Sequence, residues 1–279
     1  MKAACPLAGG ASDEGSTCGV VSGGCLSIAL GFLGDMIDSE VSKGEALYDR
    51  MREYTTWFEE RFGSTLCRER FGEDLNDISG FNLNVISGLM RCIDHTGKAP
   101  SHLVKLIERP LEGGGEVKEI DERLSESGGY CASPVMRGIR EATGHGSLYL
   151  EQLSVAFDGG IGLSGGLCGA LAGALMPIGL IWGLQPRAAG LIETMQFTSK
   201  GHEDLKSNPR KPGMWTVGNP LVKEFKNKFG SLECRDIVGR SFASGKELAE
   251  FVPGSAICTE IKEWCRDQAI ERISANTAL

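Results

Sequence analysis

No two cysteines of this chain stand in C-x-x-C spacing, although there are ten of them. That removes the thioredoxin-type dithiol, the usual zinc-knuckle pairs and the bacterial ferredoxin run. C-x-x-C-H is missing too, so no c-type haem is attached; Cys92 with His95 (CIDH) is only half of that pattern, and His95 reads as a surface or capping histidine. The four histidines (His95, His102, His145, His202) are scattered, and there is no Ser/His/Asp grouping, phosphate loop or H-E-x-x-H to argue for hydrolysis. The net charge is -8 and no Lys/Arg cluster exceeds a few residues, so the electrostatic footprint of a nucleic-acid binder is absent and no nucleic-acid partner is expected. The opening stretch MKAACPLAGGASDEG has one lysine, two early acids and no apolar core, the wrong make-up for a secretory signal, which leads to the expectation of a cytoplasmic chain.

What is present is glycine and cysteine. The 39 glycines are about double average usage and call for tight turns or close backbone approaches. Disulfides are seldom structural in the cytoplasm, so the cysteines point to metal or redox chemistry. The plain alternative for any one of them is a small buried hydrophobe.

The chain repeats itself. Gly9-Gly10 align with Gly159-Gly160, Cys18-Gly19 with Cys168-Gly169 and Gly23 with Gly173, and the apolar tail follows, Ile28 on Ile178, Leu30 on Leu180 and Phe32 on Trp182. Further on, FGSTLCRERFG (Phe62 to Gly72) matches FGSLECRDIVG (Phe229 to Gly239), with Phe58 on Phe225. Two matched blocks in one order indicate a duplicated unit.

The run from Gly159 to Pro186 carries no charge and is long enough to cross a bilayer. Its counterpart in the first copy is shorter, holds Ser22 and Ser27, and is bounded by Glu14 and Asp35. Gly165, Gly169 and Gly173 recur at four-residue spacing, which lets another backbone approach, and Pro177 and Gly179 are expected to interrupt the helix. With no second span and no flanking positive cluster, the run reads as a buried core helix and no membrane span is expected.

Elsewhere apolar residues recur at three- and four-residue spacing over Ser42 to Arg61, Ser101 to Ile107, Pro134 to Ala142, Leu221 to Phe229 and Ser255 to Ile273. The expected fold is all-α: two tandem helical domains, 1–110 and 120–279, related by duplication, each with a glycine-rich buried central helix. PLEGGGE (Pro110 to Glu116) reads as the linker, and the region Pro186 to Trp215, with Pro209, Pro212 and Gly213, as holding an extra loop of the second copy.

The cysteine pattern resembles the C_GCAxxG_C_C family of redox-active proteins, helical units with four dispersed cysteines. The second copy carries the whole signature: Cys131 in YCASPVMRGI, Cys168 in GLCGALAGAL, Cys234 in CRDIVG and Cys265 in WCRDQAIERI. The first copy keeps Cys18 in TCGVVSGG and Cys67 in CRERFG, starts too late to hold the opening helix, and has Ala99 where Cys265 falls; Cys5, Cys25 and Cys92 are its irregular extras, and Cys258 sits opposite Cys92. The resemblance implies a four-thiolate metal site from Cys131, Cys168, Cys234 and Cys265, with a second site drawn from Cys5, Cys18, Cys67 and Cys92.

A related helical unit in the split-Soret cytochromes holds an iron–sulfur cluster, so the resemblance implies an iron–sulfur cluster here, its type open, serving electron transfer or redox sensing with a redox partner protein. Small neighbours, Gly19, Gly169 and Gly173, leave room for it, and Arg68 and Arg235 stand ready to offset thiolate charge. Cys25 follows Cys18, and Cys265 follows Cys258, by two helical turns, so each pair shares a face and the extras are candidate substitutes as ligands. Two alternatives stay open: a metal-free thiol–disulfide protein, in which a helix N-terminus lowers the pKa of Cys168, and a zinc-stabilised scaffold partnering a membrane transporter. The sequence names no substrate and leaves open whether the protein is an enzyme or forms a homo-oligomer.

Overall fold

In the computed structural model, residues 2–37, 44–73, 75, 83–112, 129–185 and 190–277 are described. The first copy contributes a 3-10 segment, Lys2–Leu7, then α1 (Gly19–Ile37), α2 (Gly44–Phe62), α3 (Cys67–Phe71) and α4 (Leu83–Glu108). The second contributes α5 (Ala132–Thr143), α6 (Leu148–Leu153), the 3-10 segment Ser154–Phe157, α7 (Gly169–Trp182), α8 (Leu191–Ser207), α9 (Met214–Phe229), α10 (Cys234–Val238), α11 (Gly245–Phe251), the 3-10 segment Val252–Gly254 and α12 (Ala256–Thr277). No strand forms among the described residues; two isolated β-bridges, Thr17 with Leu66 and Leu167 with Glu233, fall at equivalent places in the copies. The chain is all-α and duplicated, α1, α2, α3 and α4 answering to α7, α9, α10 and α12.

The uncharged run becomes α7, whose residues from Gly169 to Gly179 are all buried. Fourteen residues fall short of the roughly 20 that a spanning helix needs, and among the described residues no helix is long and apolar enough to cross a membrane. Its small residues are contact points. A Cβ at Gly173 would stand 2.7 Å from the carbonyl oxygen of Ala132, where α5 crosses, and one at Gly179 would stand 2.3 Å from that of Ala3. Pro177 does not interrupt α7, and Pro100 does not interrupt α4. An interior proline costs about 3 kcal/mol, which burial of many apolar groups at about 25 cal/mol per Å2 outweighs.

Two further expectations are sharpened. In the region from Pro186 to Trp215, Leu191–Ser207 forms a helix, α8, ahead of the irregular stretch 208–213; the indole Nε1 of Trp215 in α9 donates to Asp13, and His202 Nε2 in α8 lies 2.6 Å from the same carboxylate. Helix α4 begins well before Ser101, since neither Gly97 nor Pro100 breaks it. Of the expected linker, Pro110, Leu111 and Glu112 are irregular and the rest lies outside the described residues.

The copies interlock. Lys2–Leu7 packs on α7 of the second copy, where Lys2 Nζ donates to Ile181 O at 2.9 Å, and Ser154–Phe157 packs reciprocally on α1 of the first. Tyr48 in α2 donates to Asp158 at 2.6 Å, and Glu45 accepts from the amides of Gly245 and Lys246, capping α11. Tyr48, Tyr54, Phe58, Phe157 and Phe225 lie among the fully buried side chains.

Candidate metal centre

Each copy turns its chain toward Cys18 or Cys168 through consecutive left-handed residues. Gly9, Gly10, Ala11, Ser12 and Asp13 have φ of 64°, 72°, 70°, 50° and 71°; Gly159, Gly160, Ile161, Gly162 and Leu163 have 60°, 81°, 65°, 59° and 61°. For non-glycine residues this region costs about 1–2 kcal/mol each, so a five-residue run needs support. Backbone bonds supply it: Gly15 N to Gly9 O (3.0 Å) and Ser16 N to Gly10 O (2.9 Å), matched by Gly165 N to Gly159 O (3.0 Å) and Gly166 N to Gly160 O (2.8 Å).

The turn delivers a short extended piece that pairs with the segment opening α3 or α10. In the first copy Cys18 N donates to Thr65 O and Cys67 N to Ser16 O, at 2.8 and 2.7 Å; in the second Cys168 N donates to Leu232 O and Cys234 N to Gly166 O, at 2.8 and 2.6 Å. The same stitching thus places Cys18 beside Cys67 and Cys168 beside Cys234.

In the second copy these elements close around a cavity of about 30 Å3 lined by Cys131, Cys168, Cys234 and Cys258, with Gly169 and Ala170 on α7 and Ile237, Phe242, Leu248 and Val252 as apolar walls. The four cysteines come from four elements, each at a helix start. Cys131 and Cys168 precede α5 and α7, Cys234 opens α10, and Cys258 lies in the first turn of α12. Asp158 places the first: fully buried, it accepts from the amides of Tyr130 and Cys131 (2.9 Å to Cys131) and from Tyr48. Gly169 makes room, since a Cβ there would stand 2.7 Å from Cys131 Cβ and 2.4 Å from Phe157 O.

Cys265, drawn from the signature, is fully buried two turns along α12 and does not line the cavity; Cys258 does. Gly173 supports the crossing of α5 rather than the thiols. Arg235 is exposed, and Arg68 pairs with Glu233 of the other copy at 2.9 Å. In the first copy burial, and after it Cys18 and Cys92, push the Cys67 thiol up, while Cys5 lies apart, its thiol 3.5 Å from Leu184 O. The guanidinium beside Cys18 and Cys92 is that of Arg70, which also donates to His95. His95 is buried between Phe58 and Phe62, neither a surface nor a capping residue.

All ten cysteines are free thiols. Burial pushes Cys168 up to about 11, although the amides of Leu171 and Ala170 pull it down. The helix N-terminus therefore does not lower it below the ordinary thiol range. Burial also holds Cys131 and Cys234 well up, with the neighbouring thiols and Asp158 adding to it. Buried thiols of this kind are weak nucleophiles alone, but a cation among them repays deprotonation. Helix N-termini favour negative charge at the same place. Among the described residues no three His, Cys, Asp or Glu side chains are disposed to hold one metal ion; the four thiols surround a space instead of meeting at a point.

Sequence comparison bears on the same residues. The model of a family described as "Putative redox-active protein (C_GCAxxG_C_C)" matches residues 1–106 and again 129–271. No curated protein and no solved structure matches the chain. The two matches follow the two copies that the left-handed turns and stitched cysteines define. The chain belongs to the C_GCAxxG_C_C family, as two tandem copies of its unit.

Proposed function

We propose that the protein is a redox protein in which Cys131, Cys168, Cys234 and Cys258 hold an iron–sulfur cluster, with electrons exchanged with a redox partner protein. The observation that carries this reading is the cavity walled by four thiols, each at a helix start. Such a cluster supplies one-electron chemistry at a potential set by charge, hydrogen bonding and burial. The chain's own residues set those quantities. Asp158 fixes the backbone at Cys131, Ile237, Phe242 and Val252 exclude water, and the amides of Ala170 and Leu171 point toward the Cys168 sulfur. The space of about 30 Å3 is small for a multi-iron core. Cys265, behind Cys168 and coupled to it, backs the site without facing the cavity.

Two observations rank this above the alternatives. Metal-free thiol–disulfide chemistry needs a ready thiolate, and burial raises Cys131, Cys168 and Cys234 instead. A single zinc ion needs donors meeting at one point, and the thiols here ring a space. A reducing compartment such as the cytoplasm suits ten free thiols.

The test is anaerobic preparation of the full chain, iron and sulfide analysis, and a visible absorption spectrum, repeated for Cys234→Ala, Cys258→Ala and Cys265→Ala. Equal iron and sulfide, with absorbance lost in the first two variants and kept in the third, is the expected result. A colourless protein that takes up neither iron nor sulfide and forms a reversible disulfide overturns the reading.

A further inference from the structure

We infer that two molecules of this chain associate through α4, the two helices lying side by side and antiparallel about a two-fold axis near Ile93. The inference is independent of the cluster reading.

Helix α4 has two apolar faces, and its own fold uses one. Val85, Gly88, His95, Ala99 and Leu106 are buried, where α4 packs on α1, α2 and α3. On the opposite side Leu83, Ile86, Met90 and Ile93 recur at alternating spacings of three and four, and the series runs on through Gly97 and Pro100 to Val104. That is the repeat of a helix seated against a partner helix. These residues nevertheless face outward: Leu83 is 84% exposed, Met90 61%, Ile93 64% and Val104 50%. No charged residue interrupts the series.

Gly97 fixes the orientation. Glycine disfavours a helix interior, and nothing among the described residues requires it there, since a Cβ at Gly97 would meet nothing within 4 Å. It leaves a notch in the exposed face. Turned about an axis near Ile93, the helix sets Met90 over the partner's Gly97, Ile86 over the partner's Pro100 and Leu83 over the partner's Val104, the larger side chain on the smaller each time. A parallel pair would set Met90 on Met90 and leave Gly97 facing Gly97 across a gap.

Charge points the same way. Arg91, Asp94 and Lys98 flank the series on one side, while Leu89, Thr96 and Leu103 flank it on the other, which is uncharged. In an antiparallel pair like flanks meet, so Asp94 comes within about 2 Å, measured along the axis, of the partner's Arg91. Each molecule then supplies both halves of a complementary pair. A parallel pair would set the charged flank on the uncharged one.

The area sets the strength. The 26 residues of α4 span about 39 Å, and a strip about 10 Å wide gives about 400 Å2 from each molecule. An apolar strip of that size marks an interaction surface, and the roughly 800 Å2 covered in a pair is that of a weak, transient association. The chain is therefore in monomer–dimer equilibrium at micromolar concentration.

Sedimentation equilibrium of the full chain under reducing conditions, from about 1 to about 200 μM, tests this. Wild type is expected to pass from monomer to dimer across that range. Ile93→Glu sets like charges together at the axis and should weaken dimerisation at least about tenfold. Gly97→Leu fills the notch and should weaken it too, although it adds apolar surface. Leu148→Glu, at a leucine 52% exposed on α6, should leave it unchanged. Thermal melts at the lowest concentration establish that each variant is folded. A wild type monomeric throughout, a dimer that survives Ile93→Glu, or one that Gly97→Leu strengthens or Leu148→Glu abolishes overturns the inference. A monomer that binds vesicles of neutral lipid overturns it as well and assigns the strip to a lipid surface.

Discussion

The amide of Leu167 donates to Thr17 Oγ1 at 2.8 Å, so the residues preceding Cys168 and Cys18 are held against each other across the boundary between the copies. Both partners are buried, and Gly166 next to Leu167 has no room for a side chain because Thr17 Oγ1 would lie 2.1 Å from its Cβ. Thr17→Val keeps the shape but leaves the Leu167 N–H unpaired, at a cost of about 1–3 kcal/mol. Thr17→Ser should retain most of the wild-type stability. Urea denaturation of the three proteins measures this, and equal midpoints for Val and Ser would show that the bond contributes nothing.

Gly169 and Gly19 are equivalent in sequence and unlike in surroundings. Alanine at Gly169 collides with Phe157 O and Cys131 Cβ, so Gly169→Ala should cost about 1–3 kcal/mol as an overpacked site and impair metal uptake by the second copy. Gly19→Ala meets nothing closer than 3.5 Å and, in the first turn of α1, should be neutral or stabilise by up to about 1 kcal/mol. Thermal melts with iron analysis read both; similar effects of the two substitutions would contradict the asymmetry.

Left-handed residues differ in what surrounds them. Gly10 has φ of 72° and its Cβ would stand 2.5 Å from both Ser16 N and Ser16 O, whereas Gly144, φ 76°, has nothing within 4 Å. Gly144→Ala should cost only the left-handed term, about 1–2 kcal/mol. Gly10→Ala adds a backbone collision and the loss of a stitched loop, and should cost more than about 4 kcal/mol. Circular dichroism melts at neutral pH rank them, and the reverse order would refute the account of the turn.

Burial, with the charge of Arg70, holds His95 down to about 4. The folded state therefore keeps it neutral, while the unfolded chain takes up a proton near the ordinary histidine value of about 6.5. Unfolded protein binds more protons as pH falls between those values, so stability should decline from pH about 6.5 to about 4 and be indifferent to this group above that window. His95→Leu should flatten that part of the profile, measured by urea midpoints at several pH values. A slope unchanged in the variant would assign it to other groups.

Much of the fold is legible in the sequence because the matched blocks have physical duties. Gly9-Gly10 and Gly159-Gly160 open the left-handed turns, and Phe62 to Gly72 and Phe229 to Gly239 carry the stitched cysteines. The rest of the turn is hidden because Ala11, Ser12, Asp13, Ile161 and Leu163 adopt a conformation their residue types disfavour, held there by hydrogen bonds no local pattern reveals. Cys258 and Cys265 share a helix face, so spacing alone does not say which reaches the cavity. The approach of α10 and of the Val252–Gly254 segment settles that Cys258 lines it. Gly97 and Pro100 hide the length of α4, whose packing on α3 overrides their local cost.

The exchange of 3-10 segments between copies has a consequence for synthesis. Lys2 and its partner Ile181 lie 179 residues apart in the chain. At about 5–20 residues per second, the first segment waits on the order of ten to forty seconds after translation before the helix that shelters it exists. Helix α1 likewise waits for Ser154–Phe157. The nascent first copy thus emerges from the ribosome with an apolar face unsatisfied, and its window of exposure to chaperones and to aggregation is fixed by the order in which the copies are translated.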